Sequence, residues 1–79
     1  MIYRNKGVGM SLSEELKTIR LSQYLSQADF ANKIGVSFVS VNRWENGKAK
    51  PNMKAMKSII EFSKLNNIDS SKIEQLWKD

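Results

Sequence analysis

The sequence predicts an all-α fold, a compact arrangement of five short helices. Three observations point there. Apolar residues recur at helical spacing in five separate runs. A Ser, Asn or Asp stands just before each run, where an N-cap belongs, and a glycine follows two of them. No segment alternates apolar and polar residues long enough to make a strand. With 79 residues the chain holds one domain at most.

Residues 1–10 contain two glycines and no periodicity, and are expected to form a flexible arm ahead of a domain over 11–79. The first helix is expected over Leu12–Ser22. Ser11 and Glu14 have capping-box spacing, and Leu12, Leu16 and Ile19 make an apolar stripe that Tyr24 can extend. Ser26 caps a second helix, about Gln27 to Ile34, with Ala28, Phe30, Ala31 and Ile34 as its small and apolar positions. Gly35 ends it, because glycine takes the left-handed conformation cheaply. Ser37 caps a third helix, about Phe38 to Asn46, closed by Gly47 in the same way. Val39 and Val41 weaken its intrinsic propensity, so packing must hold it. Asn52 caps a fourth helix, with Met53, Met56, Ile59, Ile60 and Ser63 on its inward face and an end near Leu65 to Asn67. Asp69 or Ser70 caps a fifth, striped by Ile73, Leu76 and Trp77.

Composition narrows the function. A chain this short buries only about 60% of its unfolded surface, which leaves little room for an enclosed cleft. There is no cysteine and no histidine, so thiolate metal sites, Cys nucleophiles and the commonest general base are absent. No nucleophile–base pair, phosphate-binding glycine loop or metal cluster is evident. An enzyme is therefore not expected, nor is a cofactor or metal. No apolar run approaches the ~20 residues of a membrane span, and no leader pattern follows Arg4 and Lys6, so the protein is expected in the cytoplasm. The formal charge is +5, and it is unevenly spread. Arg43, Lys48, Lys50, Lys54 and Lys57 stand against one acid, Glu45, a local net of +4. Such a stretch is either the footprint of a polyanion binder or a solvated lysine face.

The second and third helices meet through Gly35-Val36-Ser37, the organisation of a helix-turn-helix over about 27–46. Ala31 permits close approach, Gly35 permits the sharp turn, and Val36 and Val41 are apolar where the helices would meet. Phe38, Val39, Asn42 and Arg43 share one face of the third helix, spaced i, i+1, i+4, i+5. In a major groove Arg can bond guanine, Asn adenine, and an apolar side chain a thymine methyl. Otherwise Phe38 and Val39 are core, with Asn42 and Arg43 solvated. One of the two apolar residues is expected in the core and Arg43 at DNA.

The run Leu25-Ser26-Gln27-Ala28-Asp29-Phe30-Ala31-Asn32-Lys33-Ile34-Gly35-Val36-Ser37 resembles the core of the Cro/repressor-like, or XRE-like, helix-turn-helix regulators. Val41-Asn42-Arg43-Trp44-Glu45-Asn46-Gly47-Lys48 follows at that family's spacing, and Pro51 with the apolar helix after it also fits. The resemblance covers about Leu16 to Phe62. It implies a lambda-repressor-like fold and sequence-specific binding of double-stranded DNA by a small transcriptional regulator, with the third helix in the major groove. By the same resemblance Phe38, Val39, Ser40, Asn42 and Arg43 would face bases. Gln27, Ser37, Asn46, Lys48, Lys50 and Asn52 would hold phosphates, with Gln27 also bracing the third helix. Arg20 and Glu45 match positions that pair as a partly buried ion pair, whose disruption can cost about 3–5 kcal/mol. Relatives often carry glutamine or another polar residue where this chain has Phe38 and Val39, which points to methyl or hydrophobic contact there. Trp44 and the four methionines read as core. Relatives usually bind as dimers to half-sites about 34–36 Å apart, so a palindromic operator and a homodimer are expected. Ile73, Leu76 and Trp77 either form that dimer surface or cap the core. The competing reading is an antitoxin or protein-interaction adaptor built on the same fold.

Overall fold

The computed structural model describes residues 10–79, within which the chain forms five helices and no strand. They are α1 (Leu12–Ser22), α2 (Gln27–Ile34), α3 (Phe38–Glu45), α4 (Met53–Leu65) and α5 (Ser71–Lys78). Of the expected arm, all but Met10 lies outside the described residues. α3 stops at Glu45, one residue short of the expected Asn46, which takes the cap position.

Local capping explains four of the five starts. Ser11 Oγ accepts the Glu14 backbone N–H at 3.2 Å, and the Glu14 carboxylate accepts the Ser11 N–H at 2.9 Å, which completes a capping box. Ser26, Ser37 and Asn52 each accept the N–H three residues onward, at 3.0, 3.1 and 2.9 Å. Each bond satisfies a donor that the helix leaves open and stabilises by about 1 kcal/mol. α5 is different. Ser70 makes no capping bond; Asp69 Oδ1 takes the Ser71 N–H at 3.0 Å, while Ser70 Oγ donates to Glu74 at 2.7 Å.

The ends of α1 to α4 share one device. A residue in the left-handed region follows each helix: Tyr24 (φ 58°), Gly35 (74°), Gly47 (71°) and Asn67 (58°). The next N–H then returns to the carbonyl five residues earlier, as in Val36 to Ala31 at 2.9 Å and Lys48 to Arg43 at 2.9 Å. At Gly35 an added Cβ would meet nothing within 4 Å, so the dihedral and not space requires glycine. Tyr24 corrects an expectation. It is 95% exposed, terminates α1, and contributes nothing to the apolar stripe. A bulky L-residue held there costs about 1–2 kcal/mol.

Every helix contributes to one core. Leu16 and Ile19 come from α1, Phe30, Ala31 and Ile34 from α2, and Val41 and Trp44 from α3. α4 adds Ala55, Met56, Ile59 and Phe62, and α5 adds Ile73. Phe30 meets Phe62 edge to face, with ring centres 5.3 Å apart. Ser63 is buried and donates to the Ile59 carbonyl at 2.9 Å, which satisfies its hydroxyl inside the helix. Met53 departs from its expected inward position. At 76% exposed it lies outside the core, and the inward face of α4 starts only at Ala55 and Met56.

α5 is tied to the loop before α4 by polar contacts. Trp77 Nε1 donates to the Pro51 carbonyl at 2.6 Å, and Lys50 Nζ donates to the Trp77 carbonyl at 2.7 Å. The Lys50 ammonium also sits 5.7 Å from the centre of the Trp77 ring.

Candidate nucleic-acid interface

α3 owes its orientation to two side chains. Val41 and Trp44 point into the core, 0% and 6% exposed. Val39, two residues before Val41, falls on the opposite side of the helix, and Phe38, the first residue of α3, lies nearly a turn ahead of the buried contact. Phe38 and Val39 are therefore left 51% and 61% exposed. The expectation that one of them enters the core does not hold. Val41 and Trp44 already fill the contact with α1 and α2, and the first turn of α3 stands clear of it. Arg43 is exposed on the same outer side, its guanidinium 3.3 Å from the Lys48 carbonyl. Ser40 is half-buried and shares a 3.0 Å hydroxyl contact with Ser37.

Gln27, first residue of α2, lies beside this helix. Its Nε2 donates to Glu45 Oε1 at 3.0 Å, and its Oε1 accepts from Asn42 Nδ2 at 3.1 Å. Asn42 Oδ1 in turn accepts from Asn46 Nδ2 at 3.1 Å. Arg20, reaching across from α1, closes the inner end. Its guanidinium grips both Glu45 oxygens at 2.8 Å and also donates to the Leu25 carbonyl at 2.8 Å. The paired side chains are 9% and 3% exposed. Burial pushes the Glu45 carboxyl up, but hydrogen bonds from Arg20 and Gln27, with the charges of Arg20 and Lys17, outweigh it and hold Glu45 below the usual carboxylate range. The same hydrogen bond raises Arg20 above its already high value. A bidentate pair with further donors on the carboxylate is the geometry in which a buried ion pair is tolerated.

The remaining expected phosphate residues flank this unit. Ser37 and Asn52 sit at helix N-termini, where N–H groups and the dipole favour anions, although each already caps its own helix. Lys48 is exposed in the loop after α3, next to the Gly47 turn. Lys50 is exposed too, but its ammonium is directed onto α5. A groove of about 290 Å³ runs between the Gly35 turn and the start of α4, lined in part by Ser40, Lys50, Asn52 and Lys54. Lys54 was not among the expected phosphate residues. It belongs to the basic Arg43–Lys57 stretch and is exposed. Among the described residues there is no group of three or more metal-ligating acids, His or Cys, and no helix long and apolar enough to cross a membrane.

Comparison with known proteins fits this geometry. Residues 16–62 match the helix-turn-helix family profile, more than half of the chain and all of α2 and α3. The chain is similar to the HTH-type transcriptional activator BcrR of Enterococcus faecalis, 36% identical over 53 residues. That match takes in 67% of this chain but only 26% of the activator, so the chain spans about a quarter of its relative's length. No solved structure matches significantly. On the family match, the two capped helices and the glycine turn between them, this chain belongs to the Cro/repressor-like helix-turn-helix family of DNA-binding transcriptional regulators.

Proposed function

We propose that the protein binds double-stranded DNA sequence-specifically as a small transcriptional regulator, with α3 in the major groove. The observation that carries this is the outer face of α3: Phe38, Val39 and Arg43 are exposed together on a helix that Val41 and Trp44 hold rigidly from behind. Exposed apolar residues beside an arginine suit thymine methyls beside guanine. Asn42 and Ser40 complete the base-facing set. Gln27, Ser37, Asn46, Lys48, Lys50 and Asn52 hold phosphates, which places the helix without reading sequence. Lys50 reaches a phosphate by exchanging its contact with the Trp77 carbonyl. The protein acts in the cytoplasm as a homodimer on a palindromic operator, with α5 as the contact between copies. Leu76 and Trp77 on α5 are only half-buried in one copy, which supports that assignment. The relative's name, a transcriptional activator, agrees with a role in regulation.

Selection of DNA from a random pool, read at two salt concentrations, tests the proposal. An enriched palindrome is expected. Arg43→Ala should relax preference at one base by about 1–3 kcal/mol, whereas Lys48→Ala should weaken all sequences alike and flatten the salt slope. No enriched motif would sink the reading.

A further inference from the structure

Asn42 is the one base-facing side chain locked into a hydrogen-bonded chain, and that chain has a direction. Glu45, deprotonated and 3% exposed in its side chain, can only accept. Gln27 must therefore present its NH₂ to Glu45, as it does at 3.0 Å, and its carbonyl oxygen to Asn42. Asn42 must answer with its own NH₂, at 3.1 Å, which turns its oxygen toward Asn46, also at 3.1 Å. Rotating either amide by half a turn would set oxygen against oxygen or NH₂ against NH₂. The carboxylate in the interior thus decides which end of Asn42 is donor and which acceptor at the surface.

We propose that Glu45 is a specificity-positioning residue. Through Gln27 it fixes the polarity of Asn42, so that this amide accepts one base edge and refuses its mirror arrangement. The inference rests on the DNA-reading role proposed above. Asn42 keeps a second N–H and a second lone pair after the internal bonds are made. One donor beside one acceptor matches the adenine edge in the major groove, and a fixed order of the two selects where that adenine must lie. Arg43 lies outside the chain; its hydrogen bond is to the Lys48 carbonyl. The base it faces should be indifferent to Glu45.

The test compares operators selected by the wild type, Glu45→Gln and Gln27→Leu, with folding of each checked by circular dichroism. Glutamine at 45 can donate or accept, so both polarities of the chain become available. Leucine at 27 cuts the chain while leaving the Arg20–Glu45 pair intact, which keeps the test open if Glu45→Gln fails to fold. Both variants should lose about fivefold or more of the discrimination at one shared base position. Preference at the Arg43 position should stay within about twofold. In an Asn42→Ala background, Gln27→Leu should add nothing further at that position, because the two residues act as a unit. Weaker binding to every sequence alike, with an unchanged pattern of preferences, would overturn the inference and leave Gln27 as a phosphate contact. A wild type that enriches no motif would instead overturn the DNA-reading proposal, and this inference with it.

Discussion

α3 and α4 are both amphipathic, yet they are held in different ways. α3 buries two of its eight residues, Val41 and Trp44, whereas α4 buries five of thirteen. The rest of the anchorage of α3 is polar: Glu45 to Arg20 and Gln27, and Asn42 to Gln27. α4 relies on apolar contact spread along its length. α3 leaves Phe38 and Val39 in solvent and so has little apolar surface left to bury. Its stability concentrates in a few anchors and in hydrogen bonds made from its flank. α3 is therefore sensitive wherever one of these anchors is lost.

The sharpest way to break this contrast is at the anchors. Trp44→Ala should cost about 3–5 kcal/mol, a large share of the stability of so small a domain, and urea denaturation would read it. Ile59→Val in α4 should cost about 0.5–1.5 kcal/mol, because it trims one methylene from contacts spread along the helix. If Trp44→Ala were the milder of the two, the concentration of anchorage in α3 would be wrong.

Acid should weaken the polar anchorage of α3, and with it the domain. Glu45 lies below the usual carboxylate range when folded and returns to about 4.3 when unfolded. Its carboxylate therefore contributes fully above that unfolded value, and the contribution is lost as pH falls through the lower folded one. Arg20 stays charged throughout. The urea midpoint should fall on acidification below about pH 4.3, and Glu45→Gln should show a shallower fall over the same range. Equal slopes for the two proteins would remove the ion pair from the account.

The helix ends offer a smaller contrast. Gly47 after α3 and Asn67 after α4 adopt the same left-handed turn, with φ of 71° and 58°. Gly47→Ala should cost about 1–2 kcal/mol, because the dihedral is strained for any Cβ. Asn67→Gly should change stability by only about a few tenths, since Asn already tolerates that region. Thermal melting of both variants distinguishes them.

A similarly small effect on stability belongs to the exposed face. Phe38→Ala should alter the unfolding free energy by no more than about 0.5 kcal/mol. Binding to the selected operator should nevertheless weaken, as a fluorescence anisotropy titration would record. A large loss of stability with unchanged binding would return Phe38 to the core.

What can be read along the chain is what is decided within a few residues. Ser11 with Glu14, Ser26, Ser37 and Asn52 bond to backbone groups three positions away, so the helix starts were legible. Gly35 and Gly47 announced two of the left-handed ends, since no other residue adopts that conformation so cheaply. Tyr24 gave no such signal. It takes the strained turn because Leu25 must return toward the core and Ser26 must cap α2. The order of family-like residues from Leu25 to Lys48 likewise marks the helix-turn-helix unit in the chain itself.

Tertiary structure decided which faces are turned outward. Periodicity places Phe38 and Val39 on a stripe but not on a side, and only the packing of Val41 and Trp44 leaves both in solvent. Lys50 lies in the basic stretch, yet its direction depends on Trp77, 27 positions away. The polarity of Asn42 depends on Gln27, and that of Gln27 on Glu45 and the Arg20 it faces, contacts 15, 18 and 25 positions apart. Where the helices begin and how the chain turns was settled locally, because capping and dihedral preference act over a few residues. Only the folded chain could settle how the outer face of α3 is oriented and which way the amides of Gln27 and Asn42 point, because those depend on partners that folding brings together.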